Sequence, residues 1–452
     1  MAVYLICYAI SYLLARQHVY MLSGLVLIIA ALWLYVSDYR REENLIHLRG
    51  LFCLAFVGGQ GVSCFKLSRL QMDWAGETWL CFLLAVAAFW IAYEAVERSG
   101  GGAQYGRRPA RPIQPGLRPA RPARPVRSRR PYFARRILVS MAAVTGVSAA
   151  AFAVEAVKLG FIPMFSYGVP HAYSYFHVSG VHYFTVSAVL VPSLFVLYLF
   201  WGEPGRGGRR IFAAALTGIS LMIPLLCVSR FQLILAVGMA VFTFISVQRT
   251  FRLRYVLALF ALMVPAYLAL TVLRSHSVEY LNGIFEMKNP STPIFVTQPY
   301  MYIANNYDNF NCLVEQLGAH SMGLRMLFPV WALTGLKFLC PSLVNFPLFV
   351  TKEELTTVTL LYDAYYDFGV LGIALFAALL GVVCAFLARH QARSENPLIH
   401  VFYAQIAMYM ALAFFTTWFS NPATWFYLAA TAAIYLYVGG FSTHFGKNVE
   451  KI

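Results

Sequence analysis

The polar residues that could do chemistry lie between two strongly apolar segments, in the stretch from Arg274 to Asp367. Within it, Asp308 stands in the sequence YIANNYDNF, among aromatic and apolar neighbours. An unpaired carboxylate in such surroundings favours proton transfer near neutral pH, which makes Asp308 a candidate general base. Asp also favours helix caps and Asx turns, so a structural role is the alternative.

Two arginines stand where an anion could bind. Arg230 lies in VSRFQLIL, at the turn of an apolar hairpin with almost no loop, and Arg274 ends the next apolar segment. A planar guanidinium binds phosphate oxygens in pairs, so the two side chains together could hold a diphosphate. The alternative is that each side chain only reaches the lipid headgroups.

Asp367 lies in YYDFG and opens an apolar helix. Its carboxylate could contact a substrate, or it could stabilise the helix N-terminus through the helix dipole. Asp363 comes one turn earlier, on roughly the same face if the segment is already helical.

The composition is that of a membrane protein. Hydrophobic residues make up 60% of the 452 positions, charged residues make up 12%, and the mean hydropathy is +0.64. A soluble domain averages about 25% charged residues. The apolar runs are continuous rather than alternating, which favours helices over a barrel. The sequence therefore predicts an all-α, polytopic integral membrane protein with about 12 transmembrane helices.

The candidate spans have about 20 mostly apolar residues each, and they cover 2–15, 20–37, 50–66, 77–95, 137–156, 183–201, 211–228, 231–247, 255–272, 366–388, 397–416 and 422–440. If the N-terminus is cytoplasmic, the cytoplasmic segments hold 25 of the 35 Lys and Arg residues. This is the orientation that the positive-inside rule favours. It places both termini in the cytoplasm and the stretch from 273 to 365 outside.

Residues 322–350 do not fit as one further span, because Pro329, Pro341 and Pro347 break the apolar run. We expect re-entrant or interfacial helices there. The predicted organisation has five parts: N-terminal transmembrane helices (1–97), a Pro/Arg-rich cytoplasmic linker (98–136), central transmembrane helices (137–272), a large extracytoplasmic loop containing the re-entrant segment (273–365), and C-terminal transmembrane helices (366–452).

The linker repeats RPARP at 108–112, 118–122 and 121–125, a composition that is typical of extended chain. Its basic residues could contact anionic membrane lipids. Nucleic acid is not expected as a partner, because no folded reading module accompanies the basic residues.

The predicted outer loop 160–182 is rich in aromatic residues. His171 and Tyr175 in this loop could bind a sugar by stacking, although aromatic residues at a membrane boundary are more often interfacial anchors. The spacing of its histidines fits no metal motif, so no metal site is predicted. The chain also has no P-loop and no paired acidic motif for a metal–nucleotide complex, so no cofactor is expected.

Four elements, in order along residues 160–390, resemble bacterial oligosaccharide repeat-unit polymerases, the Wzy-type O-antigen and capsule polymerases. YIANNYDNFNCL resembles the family's aromatic-Asn-(Phe/Tyr)-Asp-Asn signature, which includes Asn305, Tyr307 and Asp308. TVTLLYDAYYDFGVLG resembles its late Thr-x7-Asp-Phe-Gly-x2-Gly segment, which here runs from Thr359 through Asp367 to Gly372. VSRFQLIL and TVLRSHS resemble its two arginine elements.

This resemblance implies a reaction at the outer face of the bacterial cytoplasmic (inner) membrane. The substrates would be glycans on undecaprenyl diphosphate, and a hydroxyl of one repeat unit would attack the anomeric carbon of another chain. Arg230 and Arg274 would stabilise the leaving diphosphate, and Asp308 would take the proton. Asn305, Tyr307, Thr359 and Asp367 would bind substrate. A chain-length regulator and a flippase would be the protein partners.

Two other functions stay open. A glycan ligase of the same architecture would transfer the finished chain to another acceptor, but the ligases place a His ahead of the YYDFG helix, where this chain has Val358 and Thr359. A polysaccharide transporter or flippase should show an internal repeat and polar groups near the membrane midplane. The sequence shows no repeat between its halves.

Overall fold

The computed structural model describes residues 1–99, 131–166, 172–202, 207–248 and 278–439. Within these ranges 76% of the residues are helical and no strand occurs. The prediction of an all-α protein is confirmed.

The helices of the N-terminal half follow the apolar runs of the sequence. They are α1 (Ala2–Arg16), α2 (Tyr20–Glu42), α3 (Leu48–Ser63), α4 (Gly76–Ser99), α5 (Pro131–Leu159), α6 (Ala172–Tyr175), α7 (His182–Val186), α8 (Val191–Trp201), α9 (Gly207–Leu226) and α10 (Arg230–Gln248). Short 3₁₀ turns occupy Pro163–Phe165 and Ser187–Leu190, and the second of these joins α7 to α8.

The helices of the C-terminal half are more varied in length. They are α11 (Val278–Phe285), α12 (Ile294–Gln316), α13 (Phe328–Leu333), α14 (Leu336–Leu339), α15 (Tyr362–Arg393), α16 (Ile399–Ala411) and α17 (Pro422–Gly439). Two 3₁₀ turns, at Pro341–Leu343 and Trp418–Ser420, lie in the connections.

Seven helices in the described ranges are long and apolar enough to cross a membrane. They are Tyr20–Glu42, Gly76–Ser99, Tyr132–Leu159, His182–Trp201, Gly207–Leu226, Arg230–Gln248 and Tyr362–Arg393. The helices α1, α3 and α16 are apolar but shorter. Each predicted span that falls on described residues coincides with a helix, whereas the predicted span 255–272 lies outside them. These apolar helices are typical of a membrane protein.

Helices α2 and α3 cross at two glycines. A Cβ atom built on Gly24 would lie 2.4 Å from the carbonyl oxygen of Gly61, and one on Gly61 would lie 2.8 Å from that of Gly24. Side chains are excluded from this contact, so the two backbones pack directly against each other, as small residues allow in membrane helices.

The bundle has two ends that differ in chemistry. At the Asp308 end, α3 stops at Ser63 and α4 and α15 begin, joined by a 2.7 Å hydrogen bond from the Tyr365 hydroxyl to Glu77. At the opposite Arg49 end, the buried Arg49 guanidinium donates to Asp38 Oδ1 at 2.6 Å and to Glu94 at 3.2 Å. The Tyr365–Glu77 contact and the Arg49 cluster therefore lie at opposite ends of the same helices.

His47 belongs to the Arg49 end and is 1% exposed. Its Nε2 lies 3.2 Å from Glu42 Oε1, and its Nδ1 lies 3.4 Å from Asp38 Oδ2. Burial alone would lower the pKa of His47, but hydrogen bonds to Asp38 and Glu42 raise it to about 9.

The proline-broken segment 322–350 folds as the short helices α13 and α14 and the turn Pro341–Leu343. Several of its apolar side chains are exposed, among them Phe338 (63%) and Leu339 (78%). Short helices with an exposed apolar face are typical of a segment that lies against a membrane surface. Whether these helices are re-entrant or interfacial stays a prediction.

Candidate functional site

Asp308 lies well inside α12 and is completely buried. Its Oδ1 accepts hydrogen bonds from Lys66 Nζ at 2.9 Å and Trp74 Nε1 at 2.8 Å. Its Oδ2 accepts from Gln71 Nε2 at 2.8 Å and Ser63 Oγ at 3.1 Å. The expectation of an unpaired carboxylate is therefore wrong, and so is the alternative of a helix cap. Asp308 ties the connection between α3 and α4 to α12, and its role as a base stays a prediction.

The asparagines around Asp308 bind a second loop. Asn309 Nδ2 donates to the carbonyl oxygens of Leu355 at 2.7 Å and Thr357 at 2.8 Å. Asn305 Oδ1 accepts from Thr351 Oγ1 at 2.9 Å. Buried amides that satisfy backbone groups in this way fix the path of the chain. Residues 351–357 are thus held against α12.

Tyr307 lies on the other side of the same helix and is also fully buried. Its hydroxyl donates to the Phe56 carbonyl oxygen at 2.6 Å, and its ring packs edge-on against Phe82. This part of α12 packs inside the bundle against α3 and α4. Substrate contacts by Tyr307 and Asn305 stay predictions.

The YYDFG element forms a joint inside α15. Gly369 has φ +60° and ψ −146°, a backbone region that is almost restricted to glycine, and it breaks the helix there. The buried Asp367 just before the break accepts hydrogen bonds from the backbone N–H groups of Met326 at 2.8 Å and Arg325 at 3.2 Å, and from the Ser321 hydroxyl. Asp367 therefore positions the loop that carries Arg325, rather than capping its own helix.

Arg325, which the sequence analysis does not include among the candidate site residues, pairs with Asp363 near the start of α15. Its Nε donates to Asp363 Oδ1 at 2.7 Å, and its guanidinium lies 4.5 Å from the centre of the Tyr366 ring and 5.4 Å from that of Tyr362. The side chains of Arg325 and Asp363 are 17% and 7% exposed. The signal that could have found Arg325 was its charge within a proline-broken apolar segment.

The Arg325–Asp363 pair lines a cavity of about 420 Å³, which is within the range of small-molecule sites. Its lining residues form two sets by chemistry, an apolar wall and a polar wall. The apolar wall contains Leu324, Phe328, Leu343, Val344, Phe346 and Leu348, and the polar wall contains Thr416, Thr417, Ser420 and Asn421, followed by Pro422. The charged pair thus shares the cavity with apolar side chains and with side chains that carry hydroxyl and amide groups.

Arg230 begins α10 close to this cavity. Its neighbour Phe231 stacks on Phe415 and Trp418, with ring centres 5.4 and 5.7 Å apart, and the cavity residues Thr416 and Thr417 lie between those two rings in sequence. Arg230 is 8% exposed. It therefore lies at the Asp308 end of the bundle together with Arg325.

Of the other predicted site residues, Tyr175 and Thr359 are described and Arg274 and His171 are not. Tyr175 is 69% exposed, as a surface for sugar stacking would require. Thr359 is fully buried, and its Oγ1 has no hydrogen-bond partner among the described residues. Arg274 and His171 lie outside those residues, so the Arg230–Arg274 pair and the role of His171 stay predictions.

A second cavity, of about 190 Å³, lies between the α1–α2 turn and the connection from α3 to α4. It is smaller than most small-molecule sites, which occupy about 300–1,000 Å³. Lys66 and Trp74 in its wall are already bonded to Asp308. The Arg325 cavity is therefore the better candidate site.

One group of possible metal ligands occurs in the described ranges, at the Arg49 end. Ligand atoms of Glu42, His47 and Glu97 lie within 4.8 Å of one another. Glu97 also lies 3.4 Å from Arg41, and Glu42 pairs with His47. The groups neutralise one another, so this cluster is an ion-pair network rather than a metal centre.

No protein family matches the chain, and neither a curated protein nor a solved structure matches it significantly. The function must therefore be argued from the sequence motifs and from the cavity itself.

Proposed function

We propose that the protein is a glycosyltransferase that joins oligosaccharide repeat units carried on undecaprenyl diphosphate, at the outer face of the bacterial cytoplasmic membrane. The observation that carries this proposal is the Arg325 cavity, which is lined by a guanidinium, by apolar residues and by polar residues. A lipid-linked glycan has three parts of matching chemistry: hydrocarbon, diphosphate and sugar.

Arg325 suits the diphosphate. A guanidinium stays protonated and presents its N–H groups in one plane, which matches paired phosphate oxygens. Nε of Arg325 is held by Asp363, and Nη1 lies 3.4 Å from the Pro347 carbonyl oxygen. Asp363 would thus fix the orientation of the guanidinium towards an anion in the cavity.

The two walls suit the remaining parts of the substrate. Hydroxyl and amide groups at Thr416, Thr417, Ser420 and Asn421 can exchange hydrogen bonds with sugar hydroxyls. The apolar wall adjoins α13 and α14, whose exposed apolar side chains would face the hydrocarbon of the membrane. A lipid-linked substrate could then enter from the membrane without bringing its hydrocarbon chain into water.

In the proposed reaction, negative charge accumulates on the departing diphosphate as the anomeric carbon is attacked. A positioned cation next to that charge lowers the barrier, and removing one such group typically costs about 10²–10³-fold in rate. Arg325 would supply this stabilisation, and Arg230 at the same end would add to it. The predicted contribution of Arg274 belongs to the same proposal.

The test is polymer formation by purified protein from lipid-diphosphate-linked repeat units, read as a ladder on a gel. We expect a ladder from the wild type, a loss of about 10²-fold or more for Arg325→Ala, and little recovery for Arg325→Lys, because an ammonium cannot reproduce the planar contacts. Arg98→Ala, a 79% exposed arginine at the Arg49 end, is the matched control. The absence of a ladder from the wild type, or an unchanged ladder from Arg325→Ala, would refute the proposal.

A further inference from the structure

A buried carboxylate and two histidines form a second polar cluster at the Asp308 end. Glu155, on α5, is completely buried and accepts hydrogen bonds from Thr185 Oγ1 at 2.7 Å and from the Val178 backbone N–H at 2.9 Å. His182 Nδ1 lies 3.1 Å from Glu155 Oε1. The reaction proposed for the Arg325 cavity assigns no role to this cluster.

The contact with Glu155 determines which tautomer a neutral His182 adopts. An ionised carboxylate can only accept hydrogen bonds, so the proton of a neutral His182 must be on Nδ1. The lone pair is then on Nε2, which makes no hydrogen bond to any residue in the described ranges. The His182 side chain is 20% exposed. A histidine that transfers protons is often oriented by a carboxylate bonded to one ring nitrogen, while the other ring nitrogen accepts the proton.

A second titratable side chain, His177, lies beside His182. The centres of the two rings are 4.8 Å apart, and the ring planes are at 62°. The pKa of His177 is lowered by burial, by His182 and by Lys337 of α14, and is raised by Glu155. Lys337 therefore acts electrostatically on His177 as a further positive charge.

Aromatic contacts connect the same cluster to the polar wall. The rings of Tyr183 and Phe184 lie 5.9 and 4.9 Å from the ring of Phe426 on α17. Phe426 is about one helical turn from Pro422, which lines the cavity. The segment that begins at His182 thus packs against α17, the helix whose first residue lines the cavity.

On the basis of the proposed function, we propose that His182 is the general base of glycosyl transfer and that Glu155 is its positioning residue. The acceptor hydroxyl would transfer its proton to Nε2 of His182 while its oxygen forms a bond to the anomeric carbon. The bond from that carbon to the diphosphate oxygen breaks, and its electron pair stays on the diphosphate. The proton then passes from His182 to water, which restores the neutral imidazole.

The test measures the initial rate of ladder formation against pH for the wild type, His182→Gln and Glu155→Gln. A base must be unprotonated to accept the proton of the acceptor hydroxyl, so the wild-type rate should fall on the acidic side of the pH profile. General-base catalysis is typically worth about 10²–10⁴-fold, so His182→Gln should be slower by that factor and should lose the acidic fall. His390→Gln at the other end of the bundle is the control, and imidazole added to His182→Gly should restore part of the rate.

The outcomes separate this inference from the proposed function. If the wild type forms no ladder, the proposed function itself is wrong. If a ladder forms and His182→Gln keeps the wild-type rate and pH dependence, the role of His182 is wrong. If the rate of His182→Gln falls without a change in pH dependence and imidazole does not restore His182→Gly, the cluster only fastens the loop to α5, and the inference is also overturned.

Discussion

Replacing Asp308 by asparagine separates a structural role from a catalytic one. The substitution keeps the size of the side chain but removes the charge opposite Lys66, whose side chain is only 6% exposed. One oxygen that accepts two hydrogen bonds also becomes an NH₂ group, which then faces the donors of Trp74 and Lys66 or of Gln71 and Ser63. Removing one partner of a buried ion pair costs about 3–5 kcal/mol. We expect Asp308→Asn to lower the free energy of unfolding by about this amount.

The measurement is unfolding by SDS in mixed micelles, followed by tryptophan fluorescence, which Trp74 would report from within the cluster. The double variant Lys66→Met, Asp308→Asn should be more stable than Asp308→Asn alone, because it leaves no unpaired buried ammonium. Asp73→Asn, in the same connection but 56% exposed, should change the stability by only about 0–1 kcal/mol. If Asp308→Asn is as stable as the wild type while polymer formation is abolished, Asp308 acts as a catalytic group and our structural assignment is wrong.

Three further predictions test the joint, the ion-pair network and the orientation. Gly369→Ala should lower the free energy of unfolding by about 1–3 kcal/mol and reduce polymer formation, because φ +60° is strained for any other residue. Gly283 is the control: a Cβ atom there would meet no atom within 4 Å, so Gly283→Ala should change neither the unfolding nor the ladder. The pKa of His47 is raised to about 9, so the stability that protonated His47 contributes is complete below pH about 6.5 and is lost as the pH rises through 9. The difference in melting temperature between wild type and His47→Gln should therefore shrink between these pH values. A constant difference would contradict the role of His47 in the ion-pair network. Exposed Cys340 should react with a membrane-impermeant maleimide added to intact cells, and Cys340→Ser should abolish that labelling; labelling only after lysis would invert the predicted topology.

The transmembrane helices could be predicted from the sequence because hydropathy is a local property. A run of about 20 apolar residues must satisfy its own backbone groups in lipid, and only a helix does so within a single segment. The predicted spans therefore coincide with helices wherever the residues are described. The glycine of YYDFG is also a local signal, because its backbone conformation depends on its own missing Cβ atom.

The partners of the polar residues were decided by the tertiary structure alone. Asp308 was expected to be an unpaired base, but Lys66, Gln71 and Trp74 lie more than two hundred residues away in sequence and meet it only because α12 packs beside the connection between α3 and α4. The burial of α12 was missed for the same reason: its polar side chains are satisfied by distant parts of the chain, and no local pattern records those partners.

The candidate site likewise depends partly on local sequence signals and partly on tertiary contacts. The sequence supplied each charged group and marked 322–350 as unusual, but the Arg325 cavity is assembled from residues 324–348, 363 and 416–422. The pairing of Glu155 with His182 likewise depends on the loop folding back onto α5. Local apolar character determined which segments form long apolar helices, whereas the packing of those helices decided which polar groups are bonded in the interior and which face a cavity.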